Sequence, residues 1–130
     1  MTLRDKKGSM KARRVVIVDD NADLRFLTRV TIESPSCVIV GEASNGAEAL
    51  EVVEEVLPDV VVMDMHMPIM NGLEATRILK YRFPDIEVVI VSGSDDPLML
   101  KEIIAAGASA SVDKEDLEQL VGRFGTRGDS

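Results

Sequence analysis

Residues 60–72 read VVVMDMHMPIMNG, a short apolar run that ends in Asp64 and is followed closely by Pro68 and Gly72. The run from Val60 to Met63 is unbroken, mostly β-branched and too short for a helix, which predicts a fully buried strand. Pro68 and Gly72 indicate a tight loop before the next helical pattern. Asp64 is therefore expected at the carboxyl end of a strand, the edge at which open α/β sheets bind their ligands.

Polar residues follow apolar runs at three further places in the chain. Asp19 and Asp20 end a second strand pattern, Ser92 ends a third, and a weaker strand pattern leads to Lys114. Two parallel strands tipped with carboxylates would bring three acids together, and these repel one another unless a cation binds. Mg²⁺ suits such a cluster because it takes hard oxygen ligands and keeps several of its waters. The sequence therefore predicts a magnesium site formed by Asp19, Asp20 and Asp64.

Strand and helix patterns alternate five times along the chain, which predicts an α/β fold with a doubly wound five-stranded parallel sheet. The strands are expected at about 15–18, 38–40, 60–63, 87–91 and 109–112. The helices are expected at about 23–34, 47–57, 72–81, 97–106 and 116–124. In the first helix, the residues with the helical spacing of a buried face are Leu24, Leu27, Val30 and Thr31. We expect one domain at 13–124 between two tails, at 1–12 and 125–130.

The composition limits the classes of protein that fit the chain. Its 130 residues suffice for one domain with a substantial core, which 3% aromatic content restricts largely to aliphatic side chains and methionine. The net charge of −8 argues against nucleic acid as a partner and suits a cation site. Cys37 is the only cysteine, which indicates a reducing compartment, and no apolar run reaches transmembrane length. We therefore expect a cytoplasmic protein that uses no membrane partner.

Five short motifs in a fixed order carry a resemblance to a known family. They are Val-Asp-Asp at 18–20, Met-Asp-Met-His-Met-Pro at 63–68, Val-Ser-Gly-Ser at 91–94, Gly-Ala-Ser at 107–109, and Lys114. Over roughly residues 14–123 the sequence resembles the receiver domain of two-component response regulators, and this implies the flavodoxin-like strand order 2-1-3-4-5. The segments at 41–46 and 72–75 resemble the subfamily that usually carries a C-terminal helix-turn-helix domain.

The resemblance implies a role for each residue of the candidate site. Asp64 would accept a phosphoryl group from a phosphohistidine donor, which is a histidine kinase or a phosphotransfer protein. Asp19 and Asp20 would hold Mg²⁺ together with Asp64 and the backbone carbonyl of His66. Ser92, with Ser94 as the alternative hydroxyl, would bind a phosphoryl oxygen, and Lys114 would pair with the phosphoryl group or with Asp64. Each residue also has an ordinary alternative: Asp64 as a loop cap, the acid pair as a helix N-terminal charge, His66 as a solvated side chain, and Lys114 as a surface lysine.

Three features depart from the family pattern. Ser111 stands three residues before the lysine, where the family usually has an aromatic residue that acts as a switch. Acidic residues, Asp113 and Glu115, flank Lys114 on both sides. The chain ends after the last helix pattern, so it is either a stand-alone receiver or part of a longer regulator whose output domain is missing; its downstream partner is then another protein or that domain.

Two other functions compete with a phosphoacceptor that is not a true enzyme. A Mg²⁺-dependent phosphohydrolase would also form an aspartyl phosphate, but it needs a second acid two residues past the nucleophile, where this chain has His66. A receiver-like binding module would no longer accept phosphate. The intact set of acids, hydroxyl and lysine argues against this last function.

Overall fold

A computed structural model of the chain describes residues 12–93 and 97–125 and the side chains up to residue 123. The strands are β1 (Arg13–Val18), β2 (Cys37–Ala43), β3 (Val60–Asp64), β4 (Glu87–Ser92) and β5 (Ala110–Asp113). The helices are α1 (Ala22–Ile32), α2 (Gly46–Val56), α3 (Gly72–Arg82), α4 (Pro97–Ala105) and a short α5 (Glu118–Leu120). The predicted tails, apart from Ala12 and Gly125, and the predicted hydroxyl residue Ser94 lie outside the described residues.

The five strands form one parallel sheet in the order β2-β1-β3-β4-β5. This confirms the predicted doubly wound fold and its strand order. The order reverses direction at β1 and β3, and ligands of open α/β sheets bind at the carboxyl edge beside such a reversal.

The helices cover both faces of the sheet, and β1, β3 and β4 are therefore buried on both sides. One core contains alternate residues of these strands, among them Val16, Met63 and Ile90, together with buried residues of α2, α3 and α4. The other core contains the intervening strand residues, such as Ile17 and Val62, together with Ile32 of α1 and the region around α5. Among the helices that the structure describes, none is long and apolar enough to cross a membrane.

The helix starts follow from their capping residues. Asn21, Asn45 and Asn71 each accept a hydrogen bond from a backbone N–H in the first turn of α1, α2 and α3. In α3 the side chain of Glu74 also accepts a hydrogen bond from the backbone N–H of Asn71, which completes a capping box. Asparagine favours this position because its side-chain oxygen satisfies a donor that the helix leaves unpaired.

The predicted buried face of α1 was wrong. The structure buries Thr28 and Ile32, whereas Leu27 and Val30 are exposed. The buried residues lie four positions apart, so one stripe of the helix faces the sheet as expected, but it is rotated from the predicted stripe.

The predicted last helix is interrupted. Residues 114–116 form a 3-10 turn, α5 has three residues, and Val121–Gly125 form a π-helical turn. Leu117 and Leu120 still pack against the sheet, so the segment covers the sheet as a helix would although its hydrogen bonding is irregular.

Candidate functional site

The register of the sheet brings the predicted site residues to one edge. Val18 of β1 pairs with Met63 of β3, so Asp19 and Asp64 follow at the same level on neighbouring strands. On the other side of β3, Asp64 pairs with Val91 of β4, and Ser92 comes one residue later. Four neighbouring strand ends therefore contribute to one site, because β5 in turn delivers its last residues beside Ser92.

Three carboxylates meet at this edge. Asp19, Asp20 and Asp64 each offer an oxygen that lies within 4.8 Å of the others. Asp64 is 2% exposed and Asp19 is 7% exposed, whereas Asp20 faces solvent. Two of the three negative charges are thus placed where water screens them little, and a divalent cation would compensate them with the hard oxygen ligands that it prefers.

Lys114 supplies the only positive charge that the described residues bring into direct contact with Asp64. Its Nζ lies 3.0 Å from Oδ1 of Asp64, and its aliphatic stem passes over Gly93. The contact is an ion pair by distance, but within the described part of the chain neither oxygen of Asp64 has a hydrogen-bond partner of acceptable geometry. A buried carboxylate with such incomplete pairing is uncommon in folded proteins and indicates a site that takes a ligand.

Asp19 carries the clearest electrostatic signature of the site. Burial is the main cause that raises the pKa of its carboxyl group, and the negative charges of Asp64 and Asp20 act in the same direction. A hydrogen bond of 2.9 Å from the backbone N–H of Asn21 opposes them and fixes the orientation of the carboxylate. The carboxylate is thus held in place at an energetic cost.

The loop between β3 and α3 is folded tightly around Asp64. Gly72 donates its N–H to the carbonyl oxygen of Met65, and a Cβ at position 72 would overlap the carbonyl oxygen of Asp64. Only glycine allows this approach. Ile69 adopts φ 71°, and the N–H of Met70 bonds to the carbonyl of Pro68 across it, which forms a strained γ-turn.

The remaining predicted residues have distinct environments. Ser92 is 1% exposed at the end of β4, and His66 is exposed in the loop after β3. Met63 and Met65 are buried and Met67 and Met70 pack against the same core. This agrees with the expectation that aliphatic side chains and methionine build the core.

Sequence reasoning missed one residue beside the site. Arg25 of α1 donates a hydrogen bond to the main-chain oxygen of Asp19. The sequence did place an arginine one helical turn after the helix cap Asn21, but nothing in the spacing showed that its side chain turns back toward β1.

The site residues all lie within a segment that matches a known protein family. A family model described as the response regulator receiver domain matches residues 15–124. The chain belongs to this family. Receiver domains of this kind act in signal transduction by two-component systems, so the predicted family and fold are confirmed. The roles of the individual site residues remain predictions.

The chain is similar in sequence to several response regulators. The transcriptional regulatory protein DegU of Brevibacillus brevis is 37% identical over 110 residues, which are 83% of this chain and 47% of that protein. The chemotaxis protein CheY of Thermotoga maritima is 38% identical over 96 residues, which are 74% of this chain and 80% of that protein.

Solved structures agree with these relatives. The response regulator domain of Thermotoga maritima CheB superposes with a TM-score of 0.79 at 30% identity, covering 87% of this chain and 90% of that one. The receiver domain spans only about half the length of DegU, and 28% of a protein-glutamate methylesterase from Hahella chejuensis. The chain therefore matches only part of each of these two relatives.

Proposed function

We propose that this receiver domain accepts a phosphoryl group on Asp64 and passes the signal on through a change in its surface. The observation that carries the proposal is the buried Asp64 carboxylate, which contacts Lys114 at 3.0 Å while its oxygens lie within 4.8 Å of those of Asp19 and Asp20. An aspartate used only as a loop cap would have its oxygens bonded to loop N–H groups, and both oxygens of Asp64 lack such partners among the described residues.

The donor set fits Mg²⁺. Asp19, Asp20 and Asp64 would supply carboxylate oxygens, the main-chain carbonyl of His66 would supply a neutral oxygen, and waters would provide the remaining ligands. When bound, the cation would neutralise charge on the transferring phosphoryl oxygens. The His66 imidazole is a poor ligand for this metal and, being exposed, is free to border the path by which water reaches the site.

The transfer step uses few groups of the protein. A carboxylate oxygen of Asp64 forms a bond to phosphorus while the bond from phosphorus to the donor imidazole nitrogen breaks, and the imidazole keeps that electron pair and takes up a proton. Lys114, already beside Oδ1 of Asp64, would shift to pair with a phosphoryl oxygen. The hydroxyl of Ser92 would donate to a second one. Positioning and charge compensation supply most of the catalysis in such transfers.

Labelling by a small phosphodonor tests the assignment. With acetyl phosphate and Mg²⁺, the mass of the intact protein should rise by one phosphoryl group, and Asp64→Asn should abolish the gain. Asp85→Asn, at an exposed aspartate away from the site, is the matched control and should label normally. Labelling that continues in Asp64→Asn, or that EDTA does not affect, would contradict the proposal.

Two alternative functions make different predictions for phosphate turnover and for labelling. A phosphohydrolase with an aspartyl-phosphate intermediate would turn over phosphate monoesters many times, whereas a phosphoacceptor hydrolyses only its own slow acyl phosphate. Exposed His66 stands where such an enzyme needs its second acid, which favours the phosphoacceptor over the enzyme. A binding module that has lost phosphorylation would show no mass increase at all.

The proposal extends to the partners and boundaries of the domain. A histidine kinase or phosphotransfer protein would be the donor, residues 13–124 would form the receiver unit, and an output domain or separate protein would receive the signal. The name of the relative DegU makes a transcriptional output one possibility for the whole protein.

Ser111 determines how the signal leaves the site in this proposal. It pairs with Ile90 on β4, so it occupies the sheet face that α4 covers. Its hydroxymethyl group cannot fill or leave a cavity as a ring would, so the change at β5 should be small. Hydrogen exchange measured with and without beryllofluoride, a phosphate mimic, tests this route. Protection should rise mainly from Gly93 to Leu100, and a rise centred on 110–112 instead would refute it.

A further inference from the structure

Arg25 joins α1 to the loop that carries the first two acids. Its Nη1 donates a hydrogen bond of 2.7 Å to the main-chain oxygen of Asp19, and its Nε donates one of 3.1 Å to Oε1 of Glu42 on β2. The N–H of Asp19 bonds at 3.1 Å to the carbonyl oxygen of Ala43, the residue after Glu42. The segment of Asp19 and Asp20, here called the acid loop, is therefore attached to the end of β2 twice, once directly and once through Arg25.

These contacts fix the backbone on both sides of Asp19. The bond from Arg25 orients the peptide plane between Asp19 and Asp20, and that plane sets the direction in which the exposed Asp20 side chain leaves the chain. The carboxylate of Asp19 is fixed separately by the N–H of Asn21. Both acids thus depend on a short segment whose carbonyl Arg25 holds from outside.

We propose that Arg25, anchored by Glu42, is a positioning residue that preorganises Asp19 and Asp20 for a divalent cation. The inference rests on the proposed function, because it takes the three-acid cluster as the metal site. Partners of this kind, which hold a ligand from behind, typically change metal affinity by about 10–100-fold when they are removed. Arg25 acts through the backbone and not through a ligand atom, so we expect the lower end, about tenfold.

A purely electrostatic role and a positioning role of Arg25 predict opposite changes in Mg²⁺ affinity when the residue is replaced. Arg25 is positive, so replacing it with a neutral side chain leaves the acid cluster more negative, and electrostatics alone predicts tighter binding of Mg²⁺. Loss of a positioning bond predicts weaker binding. The sign of the change in affinity therefore distinguishes the two roles without any estimate of magnitude.

Arg29 provides the matched control. It lies one helical turn further along α1, and its Nε donates a hydrogen bond of 2.9 Å to Oε2 of the same Glu42. Among the described residues it forms ion pairs with Glu42 and Glu33, neither of which belongs to the segment of Asp19 and Asp20. Hydrogen bonds from Arg29 are the main cause that holds the pKa of Glu42 below its usual range. Arg29→Gln removes the same charge and leaves the bond to Asp19 intact.

The experiment measures Mg²⁺ binding by calorimetry on the unphosphorylated protein, with the melting temperature in EDTA recorded for each variant. Arg25→Gln should bind Mg²⁺ about tenfold more weakly than the unmodified chain, whereas Arg29→Gln should bind equally or more tightly. Arg25→Lys keeps the charge but cannot reproduce the two-acceptor geometry of the guanidinium, so it should also bind more weakly. It carries the test alone if Arg25→Gln does not melt cooperatively.

Each outcome has a definite meaning. Binding by Arg25→Gln and Arg25→Lys that equals or exceeds that of the unmodified chain overturns the positioning role. An equal loss in Arg29→Gln also overturns it, because the effect would then belong to the whole ion-pair network. Absence of Mg²⁺ binding by the unmodified chain would instead reject the proposed metal site, and with it the basis of the inference.

Discussion

Asp19→Asn should stabilise the protein without metal and destabilise it relative to the unmodified chain when Mg²⁺ is present. Asp19 is 7% exposed and its carboxylate lies within 4.8 Å of those of Asp64 and Asp20. Asparagine has nearly the same shape, and its Oδ1 can still accept the bond from the N–H of Asn21. The substitution therefore removes the charge and leaves the geometry of the loop largely unchanged.

The size of the effect follows from the distances. Two unit charges 4.8 Å apart repel by about 3.5 kcal/mol at an effective dielectric constant of about 20. Lys114 attracts Asp19 and thereby offsets part of this repulsion. The pKa of Asp19 is nevertheless raised, chiefly by burial, so the charged form is disfavoured in the folded state. We expect Asp19→Asn to gain about 1–2 kcal/mol in EDTA, or about 3–10 °C in melting temperature.

Mg²⁺ should reverse the order of the two proteins. A cation at 100 times its dissociation constant stabilises the folded state by about 2.7 kcal/mol, and the variant, with one carboxylate fewer, should keep only a fraction of this gain. Thermal melting in EDTA and in a Mg²⁺ series measures both effects. Asp23→Asn is the control, because Asp23 is an exposed acid in the first turn of α1; it should gain no stability in EDTA and keep the full Mg²⁺ response. The reasoning fails if Asp19→Asn melts lower in EDTA or responds to Mg²⁺ as fully as the unmodified chain.

Two further substitutions test the loop around Asp64 and an ion-pair cluster at the opposite edge of the sheet. Gly72→Ala places a methyl group against the carbonyl oxygen of Asp64, so urea unfolding should show a loss of about 1–3 kcal/mol, and an unchanged midpoint would contradict the close approach. Burial raises the pKa of Glu87, but hydrogen bonds from two arginine side chains outweigh it and hold the pKa below the usual 4.5. A depressed pKa means that the folded state releases this proton more easily than the unfolded chain, so the stabilisation is complete above about pH 4.5 and is lost as the pH falls. Glu87→Gln should therefore be less stable at pH 7 and lose less stability on acidification than the unmodified chain; parallel pH curves would contradict the assignment.

The fold and the acid cluster could be predicted from sequence because both depend on local patterns. A run such as Val60 to Met63 forms a buried strand in almost any context that supplies helices on both faces. Since parallel strands end at a common edge, residues that directly follow such runs, like Asp19 and Asp64, must come close together. The prediction needed only the strand order, which the resemblance implied and the sheet confirmed.

The orientation of α1 and the link through Arg25 could not be predicted in this way. Apolar residues lie on more than one side of α1, among them exposed Phe26, Leu27 and Val30, so periodicity alone does not select the stripe that contains Ile32. The bond from Arg25 depends on where β2 ends beside β1, with Ile17 opposite Glu42. That register arises from packing of the whole sheet, so it cannot be predicted from a short stretch of sequence.

The two edges of the sheet treat their polar groups differently. At the amino edge, Asp59 accepts a hydrogen bond from the backbone of Arg14, and Glu87 pairs with two arginines, so the acids there have partners. At the carboxyl edge, buried Asp64 keeps both oxygens without a hydrogen-bonding partner among the described residues, beside two further acids. Buried acids whose hydrogen bonding is incomplete lower the stability of a fold, and proteins tolerate such groups mainly where a ligand binds. The carboxyl edge thus gathers three acids around one lysine, whereas the acids named at the amino edge each have hydrogen-bonded partners; this asymmetry supports the proposed site without reference to any motif.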